Sequence, residues 1–401
     1  MVKGLAPKLA LIGAALLGLA TTAPAALAQP QGDPLRGQFG AIEIALSPAE
    51  AARDVTLMAE AIAKLPPQRS GVVDTYVLSA SFWNDPVFER EASEAAGILA
   101  RRYDATDRTL ILSAGKGANQ PRLYPAADPN NFNAALGAIG RIIDPKEDLV
   151  AIFVTSHGGQ DGAVAIQEAG RMGGALRAVH LRNSLAASGI NTKLVIVSAC
   201  FSGHFILPFS DPNTVVLTAA AADKTSFGCE PSRDWTFFGD ALFNHALRGG
   251  GSLMSAYNEA LTLITRWETD LHANWQAMPA AQRQRQPEPV PSNPQSTVGD
   301  AAADVIAKAE SYGNAISCAG HLSFALDRTK TGRALKGLTD ASAVTSALAA
   351  ATNRANTEGT ARGRSTQDTA KSIAAIATSV LQVSAAQTTE VTAHAAKCLA
   401  P

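Results

Sequence analysis

Residues 194–203 read L-V-I-V-S-A-C-F-S-G: an apolar, β-branched run, then a cysteine, then a glycine turn. An unbroken run of this kind fits a parallel strand buried on both faces. The cysteine at its end has two readings. It is a small hydrophobe of the core, or a nucleophile that the strand aims at a cleft. The rest of the chain decides between them.

Working outward, Val72–Leu78, Leu110–Leu112, Leu149–Thr155 and Val215–Ala219 are further strand-like runs. Helical patterns at 86–103, 131–143 and 180–187 alternate with them, and helices at 236–248 and 252–269 follow. Strand–helix–strand alternation predicts an open α/β sheet. Ligands of such sheets bind outside the carboxyl ends of the strands. One strand ends in His157-Gly158-Gly159 and another in Cys200-Phe201-Ser202-Gly203. If these strands are neighbours, imidazole and thiol share a rim. The imidazole then takes the thiol proton or stabilises the thiolate, which is the attacking species. The adjacent glycines leave backbone N–H groups free to face a developing oxyanion. The expectation is a cysteine–histidine dyad acting on an acyl group.

Other chemistries fit less well. His157, Cys200 and His204 would make a three-ligand zinc site, but no H-E-x-x-H or paired C-x-x-C accompanies them. Ser202 lacks the glycine two places earlier that a serine nucleophile elbow needs. The glycines at 115–117 and 170–174 match no nucleotide-binding spacing and read as turns. No metal or organic cofactor is expected.

The chain has 401 residues, 46% of them apolar and 17% charged, and a formal net charge of −1. That is a globular composition, and the charge argues against a general nucleic-acid binder or a polybasic membrane surface. Lys3 and Lys8, an uncharged apolar run at 9–20 and Ala26-Leu27-Ala28 form the pattern of a secretory signal peptide over residues 1–28. Its removal leaves no stretch long and apolar enough to span a bilayer. The expected location is therefore outside the cytoplasm, periplasmic or secreted. An exported chain tends to pair its thiols. Cys318 and Cys398 lie in one C-terminal segment and are expected to bridge, closing a loop of about 80 residues with a stabilisation of roughly 4 kcal/mol. Cys200 and Cys229 remain.

The expected organisation is a leader and helix over 29–65, with the helix at 48–64 capped by Ser47. An α/β domain follows over 66–300, then an Ala-rich helical region over 301–401. The Pro- and Gln-rich stretch 279–299 reads as a linker or an extended edge loop, and 355–367 as a polar loop.

T-S-H-G-G at 155–159 and S-A-C-F-S-G at 198–203 resemble the cysteine peptidases of the legumain family, which also includes the catalytic subunit of the GPI-anchor transamidase. The segments at 222–229, 236–243 and 291–299, and more loosely 82–91, resemble later and earlier blocks of that family, so the likeness spans roughly 66–300. It implies a caspase-like, mostly parallel sheet sandwiched by helices, here with a helical C-terminal extension. It further implies Cys200 as nucleophile, His157 as general acid/base, and the N–H groups of Gly158 and Cys200 as oxyanion hole. Asn84 corresponds to an asparagine that orients the histidine. Ser226 and Asp240 fall at pocket positions, Ser198 stands where legumains carry an acid, and Arg90 is nearest to an expected basic residue. The implied activity is a peptidase acting on a peptide or protein substrate, with Asn or Asp at P1. The alternatives are a transpeptidase or transamidase of the same fold, and a non-catalytic envelope binding module.

Overall fold

The computed structural model describes residues 47–115, 122–167, 173–381 and 388–399. The expected signal peptide and most of the expected leader lie outside the described residues. Eight strands are described: β1 (Thr75–Ser81), β2 (Thr109–Ser113), β3 (Leu149–Thr155), β4 (Val164–Gln167), β5 (Gly173–Leu176), β6 (Lys193–Ser198), β7 (Thr214–Thr218) and β8 (Gln295–Val298). Six form one sheet in the order β2-β1-β3-β6-β7-β8. Its pairs are parallel except for β8, which runs antiparallel along β7. β4 and β5 make a separate antiparallel hairpin.

Successive side chains of a strand point to opposite faces, and here both faces are covered. Val77, Phe153, Ile196 and Leu217 pack under α2 (Pro86–Arg102), the 237–248 segment and α5 (Leu253–Ala277). Tyr76, Leu78, Ile152 and Val197 pack under α1 (Pro48–Ala63), α3 (Pro129–Gly140) and α4 (Ala178–Ala187). This explains the unbroken apolar runs and is the caspase-like sandwich. α1 begins with a capping box in which Ser47 and Glu50 satisfy each other's backbone N–H groups.

Several parts depart from the expected elements. The first strand starts three residues late, at Thr75, because Asp74 is spent holding Arg69 (2.6 Å) and Arg108 (3.2 Å). The stretch 279–299 contains β8, whose sequence Q-S-T-V lacks an apolar alternation because it lies at the sheet edge with one partner. The helix expected over 236–248 is instead three short turns: an α turn (Phe237–Gly239), a π turn (Asp240–His245) and a 3₁₀ turn (Ala246–Arg248). π turns cluster at functional sites.

The C-terminal helices are α6 (Asp300–Lys330), α7 (Ala341–Ala361), α8 (Thr366–Leu381) and α9 (Thr388–Lys397). α6 belongs to two cores. Ala302, Ile306 and Ala309 complete the layer over the sheet, whereas Leu322 and Ala325 pack with α7 and α9 through Val344, Ala351, Val391 and Ala395. Gly313 lies flush on the Arg102 backbone, where a Cβ would sit 2.6 Å from the carbonyl carbon. The break expected over 355–367 is shorter, since α7 continues to Ala361. Gly359 is drawn into the packing by Thr369 and Tyr312. None of the described helices is long and apolar enough to cross a membrane.

Cys318 and Cys398 form the expected disulfide, joining α6 to the residue after α9. The bond spans a sequence separation of 80, so its loss is expected to lower stability by about 4.5 kcal/mol through the larger entropy of the unfolded chain. Urea unfolding with and without reductant checks this. A midpoint that does not move would show that the bridge adds nothing to the helix packing.

Candidate functional site

β3 and β6 pair in register, Thr155 opposite Ser198. His157 and Cys200 each lie two residues past that pair, and neighbouring strands run roughly 5 Å apart. The chains stay together beyond the strand ends. Ser156 N–H donates to the Ser198 carbonyl at 3.2 Å. Gly158 rests on the Cys200 peptide, and a Cβ there would fall on the Cys200 carbonyl oxygen and 2.8 Å from its carbon. Only glycine allows that approach. The carboxyl rim of the sheet therefore sets the backbones at His157 and Cys200 side by side, beside the β1–β3 junction where the strand order reverses.

Phe201, directly after the cysteine, has φ +57°. A bulky residue rarely adopts this left-handed conformation, and such strain is held only where the surroundings over-determine it. Here the Phe201 N–H donates to the Lys224 carbonyl at 2.7 Å. That bond draws the 222–229 loop over the thiol. Ser226 N–H then donates to Cys200 Sγ at 3.3 Å, with Ser226 Oγ at 3.6 Å. Among the described residues, neither the Gly158 nor the Cys200 backbone N–H donates to a protein acceptor, so both remain available at the rim.

The imidazole of His157 is wedged edge-on between Trp83 and Phe88, each ring centroid 5.0 Å away. The Asp85 carboxylate lies 3.6 Å from Nε2. Asp85 occupies the N-cap position of α2 but caps nothing with its side chain; its carboxylate is turned to the histidine. The carboxylate at the imidazole is that of Asp85, the residue after Asn84. The Asp-Pro pair at 85–86 marks a helix start, and nothing local to it signals a contact with a residue 72 positions away.

The expected pocket residues disperse. Ser226 is at the sulfur. Ser198 is buried and turns its hydroxyl inward to Thr236 Oγ1 at 3.0 Å, away from any open pocket. Arg90 ties down the following loop, donating to the Pro231 carbonyl at 3.0 Å and pairing with Asp234 at 3.1 Å. Asp240 accepts from Asn244 at 2.8 Å and faces His245 at 3.6 Å, and His245 in turn meets Glu390 of α9 at 2.7 Å. That contact with Glu390 holds the His245 pKa above its ordinary value. Cys229 is a second thiol near the first; burial, then the charge of Cys200, pushes its pKa up to about 12, so it stays protonated and inert. A cavity of about 810 Å³ lies between α2, the 244–249 turn and the C-terminal helices. Neither His157 nor Cys200 lines it, so cavity size alone does not mark the reactive rim.

Beneath the rim, sequence reading misses Glu91. Its carboxyl is fully buried among Thr155, Ser198 and Thr236.

No curated protein matches the chain. Residues 128–270, which hold both His157 and Cys200, match the model of the Peptidase C13 family. With the mostly parallel, helix-covered sheet around it, that segment is similar to the legumain-type, Peptidase C13 family of cysteine peptidases.

Proposed function

We propose that the protein is a cysteine endopeptidase in which Cys200 and His157 cleave peptide bonds through a thioester. The observation that carries this is the seating of Gly158 on the Cys200 peptide, which fixes the two strand ends side by side. The Cys200 thiolate attacks the scissile carbonyl carbon. The oxygen gains negative charge between the free N–H groups of Gly158 and Cys200. Collapse of the tetrahedral species breaks the C–N bond, and His157 gives its proton to the departing amine. Water then adds to the thioester while His157 takes a proton back, and the carboxylate product leaves with the thiol restored. Asp85 stabilises the imidazolium and fixes its orientation, and Trp83 and Phe88 restrict ring rotation.

The lysine-flanked apolar run at the N-terminus and the Cys318–Cys398 bridge support the further reading that the protein works outside the cytoplasm. Of the residues expected to hold an Asn or Asp side chain at P1, Ser226 is the one placed beside the sulfur.

The test is a peptide-library digest combined with thiol alkylation. Wild-type protein is expected to cleave, and Cys200 to be alkylated at neutral pH at least about tenfold faster than an ordinary thiol. Cys200→Ala should lose cleavage entirely, and His157→Ala should lose both cleavage and the fast alkylation. A Cys200 that reacts at an ordinary rate, with no cleavage product, would instead mark the fold as a binding module.

A further inference from the structure

Glu91 sits on the inward side of α2 with no exposed surface. Burying a carboxyl without partners is costly, so its surroundings should show what keeps it there. Thr155 Oγ1 donates to Oε2, Thr236 Oγ1 donates to Oε1 at 2.7 Å, and Ser198 Oγ lies 3.4 Å from Oε1. Ser198 and Thr236 also bond each other at 3.0 Å. Gly239 closes the remaining side, where a Cβ would fall on Oε1 and 2.7 Å from Cδ.

These partners are not scattered. Thr155 and Ser198 are the register pair that ends β3 and β6, two residues before His157 and Cys200. Thr236 is the N-cap of the 237–248 segment, its hydroxyl accepting from Gly239 N–H at 3.0 Å. The same side chain thus holds α2, both strand ends and the start of the segment that carries Asp240. α2 also begins with Asp85 and Phe88, which flank the imidazole.

We propose that Glu91 is a positioning residue of the hydrolytic site: its carboxyl holds the ends of β3 and β6 at the separation and depth that set His157 against Cys200. The proposal rests on the hydrolytic reading of those two residues and adds the buried group that spaces them. Glu91 touches no substrate, so it acts on kcat and leaves KM nearly unchanged.

Its protonation state alters the hub. An ionised carboxylate only accepts, and the Thr155 and Thr236 hydroxyls both point at it while Ser198 bonds Thr236; a protonated one must donate to one of them. Burial, opposed by the hydroxyl donors and aided by the charge of Asp240, raises its pKa to about 7. The other ionisable groups facing it are the Cys229 thiol, which stays protonated, and Asp240 itself. In the unfolded chain the carboxyl ionises in the ordinary range. Its contribution to stability is therefore complete at low pH and falls as pH rises towards about 7.

The experiment measures the rate of Cys200 alkylation by iodoacetamide from about pH 5 to about pH 9, a span covering ordinary carboxyl, imidazole and thiol ranges. It is paired with kcat and KM on a library-derived peptide and with thermal unfolding. Wild-type protein is expected to show an inflection near pH 7. Glu91→Gln should lose it, with alkylation and kcat lower by roughly tenfold, the effect of a small misplacement of reacting groups. Its melting temperature at about pH 8 should rise, because the amide has no charge to bury. If Glu91→Gln does not fold, Thr236→Ser and Thr236→Val carry the same test. The serine, which keeps the donor, should match wild type, and the valine should show the loss. A Glu91→Gln protein, or a Thr236→Val one, with wild-type rates and pH profile would overturn the proposal while leaving the hydrolytic reading standing. A wild-type Cys200 of ordinary reactivity would overturn both.

Discussion

Truncation after Asp300 is expected to yield no folded peptidase, rather than an unleashed one. The C-terminal helices begin with a helix that the catalytic half needs. Ala302, Ile306 and Ala309 of α6 fill the layer over the sheet beside Val215 and Leu217. Directly after Ala309, Glu310 meets Arg102 of α2 at 2.7 Å, with side chains 4% and 3% exposed. The same carboxylate accepts the Leu253 N–H at the start of α5, at 3.2 Å. Removing α6 uncovers that core and strands a buried guanidinium. An isolated buried charge is far less tolerable than the pair.

Glu310→Ala is the graded form of this prediction. It should cost about 3–5 kcal/mol, a large part of a typical domain stability of about 5–15 kcal/mol. Circular dichroism and urea unfolding of Glu310→Ala, beside expression of the truncated chain, check both. The remaining polar contacts of the C-terminal helices agree with an annex. Arg364 pairs with Asp104, Ser317 bonds the Arg248 carbonyl at 3.1 Å, and Glu390 meets His245. Meanwhile the His157 side chain keeps 39% of its surface exposed. A truncated chain that folds and cleaves faster would show these helices to be a lid.

Gly158→Ala is expected to remove activity while sparing the fold. The added Cβ meets the Cys200 backbone, not a mobile side chain: its carbonyl oxygen, its carbon at 2.8 Å and its nitrogen at 3.1 Å. Backbone atoms at a strand end cannot swing aside, so the ends of β3 and β6 must part. Parting them shifts imidazole relative to sulfur and spoils both proposed oxyanion donors. A displacement of about 1 Å between reacting groups costs on the order of a hundredfold, so kcat should fall by at least about that factor. The core strands, buried below, should hold the melting temperature within a few degrees, on the order of 1–2 kcal/mol of stability. Steady-state kinetics and thermal unfolding of the variant decide this. Wild-type kcat in Gly158→Ala would mean that the contact between the two loops plays no part in the reaction.

The sequence by itself determined the sheet and its reactive rim. Parallel strands buried on both faces must be apolar throughout, so Leu149–Thr155 and Lys193–Ser198 stand out in the chain. A histidine-glycine pair and a cysteine that directly follow such runs are visible in the same way. The Cys318–Cys398 bridge was legible because few thiols compete for partners. Tertiary structure alone decided what surrounds the rim. Asp85 and Glu91 carry no local pattern that distinguishes them from ordinary residues at the start of an amphipathic helix. They gain their roles when α2 lies across the ends of β3 and β6, so that one carboxylate faces His157 and the other is sealed beneath Thr155 and Ser198. Ser198 and Arg90 changed partners for the same reason: a hydrogen bond is made to whatever the fold brings near, and sequence spacing does not encode that across a hundred residues. The polar strand β8 escaped notice because it lies at the sheet edge with one partner, and the β4–β5 hairpin because each of its strands is only four residues long.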